Sequence, residues 1–160
     1  YKRIDIAVEA FRELDLPLVV AGDGPQLPHL KKMAGPKTDF LGLIGEDHKI
    51  ELLSKCRALV FPGREDFGIV PVEALASGRP VIAFGAGGAT ESVIEGKTGT
   101  FFFEQSPAAL FKAVERFKED GFDSRVAVES ARRFDEKVFK EKFSRWVSEK
   151  TTEFKKGLEE

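Results

Sequence analysis

The sequence predicts an α/β protein of one domain, in which a parallel sheet is covered by helices on both faces. Apolar segments of strand length alternate along the chain with longer segments of helical periodicity, which is the order of β-α-β units. The strand segments are nearly all apolar, as is typical of parallel strands that are buried on both faces. A chain of 160 residues is long enough to bury a core of its own. These observations favour a Rossmann-like domain over residues 1–160.

The first part of the chain predicts one helix and then two strand-helix pairs. Residues 1–14 carry apolar side chains at helical spacing and predict a helix. Residues 18–21 form a short apolar strand and residues 38–42 a second strand, and turn residues follow each. Helices are expected after them, at about 26–34 and 47–56.

The middle of the chain predicts a strand, a tight loop, a short helix and a second strand. Residues 58–61 are an apolar run that Pro62 and Gly63 end. Pro71 suits the first turn of a helix, where its missing N–H costs nothing, and Gly78 suits the end of that helix. The helix is therefore expected to start near Ile69.

The last part of the chain continues the alternation and ends in helices. A glycine-rich loop at 85–88 follows the strand at 81–84, and a helix is expected at about 89–94. Ligands of open α/β sheets lie at this carboxyl edge of the strands. The remaining predicted elements are a strand at 101–103, a helix that Ser106 and Pro107 begin, a helix at 124–131 and a final helix at about 135–155 that carries an aromatic stripe.

The expected helix start near Ile69 is a candidate anion site. Its first turn leaves backbone N–H groups without intrahelical partners, and the positive end of the helix dipole lies there. Gly68 allows a ligand to approach the backbone closely. Gly68, Ile69 and Val70 are therefore the predicted phosphate-binding residues.

Two carboxylates flank this candidate site, Glu65 in the loop and Glu73 in the expected first helical turn. Taken alone, Glu73 suits the helix dipole, and Glu65 suits a solvated loop. A carboxylate next to an anion site is more readily explained if it accepts hydrogen bonds from sugar or ribose hydroxyls. The combination favours a nucleotide sugar as ligand.

Seven residues separate Glu65 from Glu73, and the stretch E-D-F-G-I-V-P-V-E-A-L-A-S-G-R-P-V-I-A surrounds them. This stretch resembles the Glu-x7-Glu signature of retaining glycosyltransferases of family 4, which have the GT-B fold. The E-D-F-G variant, together with the later G-A-G-G-A-T-E, is most similar to mannosyltransferases of the polysaccharide type. The sequence departs from the commoner pattern at Gly63 and Asp66, which leaves the donor sugar open.

The resemblance implies a role for each matching residue. Glu65 is the implied catalytic residue and, with the backbone around Phe67, orients the donor sugar. Glu73 takes the ribose hydroxyls, Lys2 holds the donor diphosphate, and the backbone at Leu43 lines the nucleobase pocket. Members of the family generally need no metal or other cofactor, and we expect none here.

The resemblance also implies what the complete protein does. It is expected to transfer a sugar, with mannose from GDP-mannose favoured and UDP-sugars open, to a glycan or lipid-linked acceptor. The chain matches the C-terminal, donor-binding half, so we expect a first strand and an N-terminal acceptor domain upstream. Alone, the chain is expected to bind nucleotide without transferring sugar. A non-catalytic nucleotide-binding module and a GT-B nucleotide-sugar epimerase are the alternatives.

Composition limits the partners and the location. The 25 basic and 27 acidic residues nearly balance, so charge favours neither nucleic acid nor an anionic membrane. Neither a signal peptide nor a membrane-spanning run is evident, which favours the cytoplasm, with peripheral association at the inner face of the membrane as a further expectation for the complete protein. Cys56 is the single cysteine and is expected to be a small core residue. The chain has no Asn and only two Gln, a profile typical of thermophiles.

Overall fold

The computed structural model describes residues 1–117 and 121–157. The α/β class predicted from the sequence is confirmed, since helices and parallel strands alternate along the chain. The described elements are α1 (Ile4–Leu14), β1 (Leu18–Ala21), α2 (Leu27–Met33), β2 (Thr38–Gly42), α3 (Glu46–Lys55), β3 (Leu59–Phe61), α4 (Ile69–Ala76), β4 (Val81–Phe84), α5 (Ala89–Ser92), β5 (Gly99–Phe102), α6 (Pro107–Arg116), α7 (Ser124–Ala131), a 3-10 helix (Arg132–Phe134) and α8 (Glu136–Lys156).

The strands form two parallel groups where the sequence predicts one sheet. β1 pairs with β2, and β3, β4 and β5 pair in that order. Within the described residues, no hydrogen-bonded pairing joins one group to the other. Open α/β sheets bind ligands at the carboxyl ends of their strands.

Helices cover both faces of the three-stranded group, as the sequence predicts. Val81 and Ala83 of β4 pack with residues of α4, α5 and α7 on one face. Ile82, between them in sequence, packs with α1 and α6 on the other face. This alternation follows from the period of two in a strand and explains why β4 is apolar throughout.

Helix α1 connects the two groups of strands. Its residues Ile6, Ala7 and Ala10 are buried in the cluster that also contains Leu110 of α6. Leu18 of β1 packs against the same cluster. Hydrophobic contacts of α1 therefore join parts of the molecule that β-pairing leaves separate.

Three predicted boundaries are wrong. Helix α1 begins at Ile4 and not at residue 1, since its N-cap Arg3 has a left-handed backbone conformation. Helix α5 ends at Ser92 and not near Ile94, because Val93 takes an extended conformation and the Ile94 N–H donates to Thr98 Oγ1 at 2.8 Å. Strand β5 runs from Gly99 to Phe102, which leaves Phe103 exposed after its end. In contrast, the predicted cap of α6 is confirmed, since Ser106 Oγ accepts a hydrogen bond from the Ala109 N–H.

The final helix α8 lies almost entirely in solvent. None of its 21 residues is buried. Phe139 stacks on Phe143, and Phe143 stacks on Trp146, with ring centroids 5.6 and 6.2 Å apart, yet all three rings are exposed. Within the described residues, no helix is both long enough and apolar enough to cross a bilayer.

Candidate functional site

The candidate site is built on the N-terminus of α4, which begins at Ile69 as predicted. Gly68 is the N-cap and has φ 77°, a left-handed conformation that glycine adopts without strain. Because a helix leaves its first N–H groups without intrahelical partners and Pro71 has no N–H, the free donors are those of Gly68, Ile69 and Val70. Within the described residues, no backbone or side-chain acceptor takes them. The side chains of Ile69 and Val70 are exposed.

Glu65 lies in the loop before this helix and forms an ion pair with Lys2, whose Nζ donates to Glu65 Oε1. The side chain of Glu65 is only 20% exposed, which differs from a solvated loop charge. The hydrogen bond to Glu65 raises the pKa of Lys2, so this ammonium stays charged through neutral pH. The structure thus places together the two residues that the resemblance assigns to the sugar and the diphosphate.

The loop from Glu65 to Gly68 is held in place by two further contacts. The Gly88 N–H donates to the Glu65 carbonyl oxygen at 2.8 Å, so the glycine-rich loop after β4 packs against it. A Cβ atom at Gly88 would lie 2.1 Å from the Phe67 carbonyl oxygen, which leaves room for glycine alone. On the other side, the Phe67 ring packs edge-on against Phe134 with centroids 5.5 Å apart. Contacts from distant parts of the chain therefore fix the loop.

Glu73 lies one turn further into α4 than the sequence predicts, because the helix begins at Ile69 and Glu73 is its fifth residue. Helical side chains lean toward the N-terminus, so this position still directs Glu73 toward the free end of α4. The stabilisation of an acid by the helix dipole falls off within the first turn. A favourable interaction with the helix dipole therefore explains an acid at this position less well than it would in the first turn, where Glu73 was predicted.

The two carboxylate oxygens of Glu73 have different surroundings. Lys49 of α3 donates to Glu73 Oε1 at 2.8 Å, and this hydrogen bond raises the pKa of Lys49. Glu73 Oε2 is buried, and among the described residues it has no hydrogen-bond partner. A buried carboxylate oxygen without a donor is costly, so a ligand that supplied a hydroxyl or an N–H to this atom would relieve that cost.

Leu43, the position that the resemblance assigns to the nucleobase, lies in the loop between β2 and α3 and is 82% exposed. This loop follows the carboxyl end of β2, the end of a parallel strand at which open α/β sheets bind ligands. No side-chain hydrogen bond of the described residues joins Leu43 to Glu65 or Glu73. Its connection to the helix tip runs through α3, which packs against α4.

Lys49 was not predicted from the sequence as a partner of Glu73. Lys49 precedes Glu73 by 24 residues, and its spacing to Glu46 predicts only a local pair on α3, which the structure also contains. Phe134 was likewise not predicted to support Phe67. Both contacts join elements that are distant in sequence, and no local pattern encodes such contacts.

The two histidines and the cysteine take part in none of these contacts. His29 and His48 are exposed on α2 and α3, and within the described part of the chain no group of three His, Cys, Asp or Glu side chains could hold a metal ion. Cys56 is half-buried after α3, and burial raises the pKa of its thiol. The chemistry available at the tip of α4 is therefore binding of an anion at the N–H groups and of hydroxyls at the carboxylates.

The arrangement of strands and helices defines an α/β domain with the fold of GT-B glycosyltransferases. Two solved structures of such enzymes are similar to it: Anabaena Alr3699/HepE in complex with UDP and glucose, with a TM-score of 0.79 and 23% identity, and sucrose-phosphate synthase from Thermosynechococcus elongatus, with a TM-score of 0.78 and 24% identity. These matches cover 92% and 94% of this chain, but 45% and 43% of those chains. Identities this low show the fold alone.

Sequence similarity identifies the family. The model described as "Glycosyl transferases group 1" matches residues 1–141, and the chain belongs to that family. It is 35% identical over 122 residues to human alpha-1,3/1,6-mannosyltransferase ALG2 and 29% identical over 145 residues to the O-antigen chain mannosyltransferase C of Escherichia coli. These matches cover 72% and 85% of this chain, and 29% and 39% of those two proteins. The chain thus spans well under half the length of these relatives.

Proposed function

We propose that this chain is the donor-binding part of a retaining glycosyltransferase that transfers a sugar, with mannose favoured, from a nucleoside-diphosphate sugar to a glycan or lipid-linked acceptor. The free N-terminus of α4, with Glu65 on the loop before it and Glu73 one turn beyond it, supports this function most directly. Several relatives carry mannosyltransferase names, which favours GDP-mannose as the donor. A structural neighbour in complex with UDP and glucose supports a nucleotide sugar in general.

In the proposed complex, the diphosphate lies at the N–H groups of Gly68, Ile69 and Val70. These donors are preorganised, so they stabilise the negative charge that develops on the leaving nucleotide as the glycosidic bond breaks. Lys2 adds a positive charge beside Glu65. The ammonium would be shared between the Glu65 carboxylate and the diphosphate, because a lysine carries three donors.

The carboxylates take the hydroxyl groups of the donor. Glu73 binds the ribose, since its Oε2 has no donor among the described residues and a ribose hydroxyl supplies one. Glu65, with the backbone at Phe67, orients the transferred sugar. The exposed loop at Leu43 faces the nucleobase through its backbone groups. No step of this proposal requires a metal ion.

The acceptor site belongs, in this proposal, to a part of the protein outside this chain. The unpaired edges of β1 and β3 suit a further parallel strand that would complete one sheet. The exposed aromatic rings of α8 suit packing against a second domain. Accordingly, this chain alone should bind the nucleotide sugar and transfer nothing.

Other features expected from the sequence stay predictions. A cytoplasmic location, and peripheral contact of the complete protein with the inner face of the membrane, are of this kind. So is a heat-loving source, for which a melting midpoint above the range of about 45–65 °C typical of mesophile domains would be the supporting measurement.

Thermal-shift measurements with GDP-, UDP-, ADP- and TDP-sugars test the proposed function, since a ligand that binds only the native state raises its melting midpoint. We expect one nucleotide class to give the largest shift.

Calorimetry on Glu73→Ala should then show binding weakened by about 1–3 kcal/mol, the range for hydrogen bonds to a charged group. Glu129→Ala, which removes an exposed acid of α7 that pairs with Arg132, is the matched control and should bind like the wild type. Unchanged affinity in Glu73→Ala would remove Glu73 from the ribose role, and no shift with any nucleotide sugar would refute the function.

A further inference from the structure

Lys49 of α3 connects two acids on different helices. Its Nζ donates to Glu73 Oε1 at 2.8 Å and to Glu46 Oε1 at 3.0 Å. The side chains of Lys49 and Glu73 are 27% and 29% exposed, whereas Glu46 is mostly exposed. The contact with Glu73 is therefore the more protected of the two, and it spans the junction between α3 and α4.

We propose that Lys49 is a positioning residue, which fixes the carboxylate of Glu73 so that Oε2 receives the ribose hydroxyls of the donor nucleotide. This inference rests on the proposed function, and it adds a residue to which neither the sequence nor the family resemblance assigned a role. Lys49 acts through Glu73 and is not itself placed on the ligand.

The geometry supports this role because the carboxylate is held at one oxygen only. An ammonium at Oε1 leaves the other oxygen with its acceptor capacity unused, and Oε2 has no partner among the described residues. Part of the Glu73 side chain reaches solvent although Oε2 itself is buried, so a small shift of the side chains around the carboxylate would give an incoming hydroxyl access to Oε2 while Lys49 holds Oε1. Without Lys49, neither oxygen is fixed.

The charge of Lys49 matters as well as its geometry. Glu73 lies one turn from the N–H groups at which the diphosphate is proposed to bind, and a free carboxylate there would repel that anion. The ammonium of Lys49 compensates this charge. Lys49 therefore reduces the repulsion between the Glu73 carboxylate and the diphosphate. With this charge present, Glu73 can bind the ribose although a phosphate site lies close to it.

The chain offers a matched control on the same helix. Lys55 of α3 forms a 2.6 Å ion pair with Glu51, but both side chains are exposed and neither contacts α4 through the described ion pairs. Lys55→Met thus removes a lysine and an ion pair from α3 without affecting Glu73. Lys49→Met removes the positioning contact, Lys49→Arg keeps a charged donor, and Lys49→Gln is a second neutral variant.

The decisive readout is the preference for ribose hydroxyls. Calorimetry would compare GDP with 2′,3′-dideoxy-GDP, and UDP with 2′,3′-dideoxy-UDP. We expect the wild type to prefer the ribonucleotide by about tenfold, which corresponds to about 1.4 kcal/mol. In Lys49→Met and Lys49→Gln this preference should fall below about threefold, and the affinity for the dideoxy form should fall by a smaller factor than that for the ribonucleotide, because the neutral variants also lose the charge that compensates Glu73. Lys49→Arg should restore it in part, and Lys55→Met should keep it in full.

The possible results separate the inference from the function on which it rests. If both neutral Lys49 variants keep the wild-type preference, Lys49 does not position Glu73, and the nucleotide site itself still stands. If both lose affinity for ribo- and dideoxy-nucleotides equally, Lys49 has only a structural or electrostatic role, and the inference is likewise overturned. If the wild type binds none of the four nucleotides, the proposed function is the part that fails. Adding Lys49→Met to Glu73→Gln should lower the preference no further, because both changes remove the same contact.

Discussion

Replacing Gly88 with alanine tests how the loop that carries Glu65 is held. The φ of Gly88 is −61°, which alanine adopts without strain, so the effect is steric. The new Cβ would lie 2.1 Å from the Phe67 carbonyl oxygen and 2.4 Å from the Phe67 Cα, whereas ordinary contact begins at 3.4 Å. These are backbone atoms that cannot rotate away, so the two loops must separate by about 1 Å.

That separation has two costs. The hydrogen bond from the Gly88 N–H to the Glu65 carbonyl, 2.8 Å long, would be stretched, and its loss costs about 0.5–1.5 kcal/mol. Overpacking at a tight site adds about 1–3 kcal/mol. We therefore expect Gly88→Ala to lower the free energy of unfolding by about 2–4 kcal/mol in urea denaturation, and to weaken nucleotide-sugar binding where the protein stays folded.

Gly24→Ala is the control for this measurement. No atom lies within 4 Å of a Cβ placed at Gly24, which is in the loop between β1 and α2. Its free energy of unfolding should stay within about 0.5 kcal/mol of the wild type. If Gly88→Ala were equally mild, the contact between the two loops would not hold Glu65, and the reasoning from close backbone approach would be refuted.

Two further predictions concern titratable groups. Hydrogen bonds to Glu65 and Glu73 raise the pKa values of Lys2 and Lys49 above 10.5, so the stability that these pairs contribute is present below that pH and is lost as the pH rises through the raised values. Calorimetric melting at about pH 8–11.5 should therefore show the wild type losing its advantage over Lys49→Met at the alkaline end, and parallel profiles would contradict this. Burial raises the pKa of the Cys56 thiol above 9.0, so iodoacetamide at about pH 8 should modify it more slowly than cysteine in an unfolded peptide, and an equal or faster rate would exclude the buried, inert thiol.

The local elements were largely predictable because their signals are local. Pro71 and Gly78 placed α4 and its start at Ile69, and Ser106 placed the start of α6. The strands were found from apolar runs, although Phe103 looked like strand and lies beyond the end of β5. A run of three phenylalanines carries no information about where pairing with β4 ends.

The relations between elements were not predictable in the same way. The partner of Glu73 comes from a different helix, and the separation of β1 from β3 is a property of the whole arrangement. Packing decides both, and neither composition nor local spacing encodes them. The second-turn position of Glu73, in contrast, follows by counting from the predicted helix start at Ile69.

The aromatic stripe of α8 shows the same limit. Its helical spacing predicts that the aromatic residues share one face, and in this chain Phe139, Phe143 and Trp146 lie in solvent and contact one another. Periodicity states which residues share a face. It does not state what, if anything, lies against that face.

The separation of β1 from β3 has a mechanical consequence. Backbone hydrogen bonds stiffen each group of strands internally, whereas among the described contacts helices join the two groups, through the packing of α1 and the hydrogen bond from Lys49 of α3 to Glu73 of α4. A nucleotide that touched the loop at Leu43 and the end of α4 together would add a further link between the groups, so its binding would restrict their relative motion as well as fill a site.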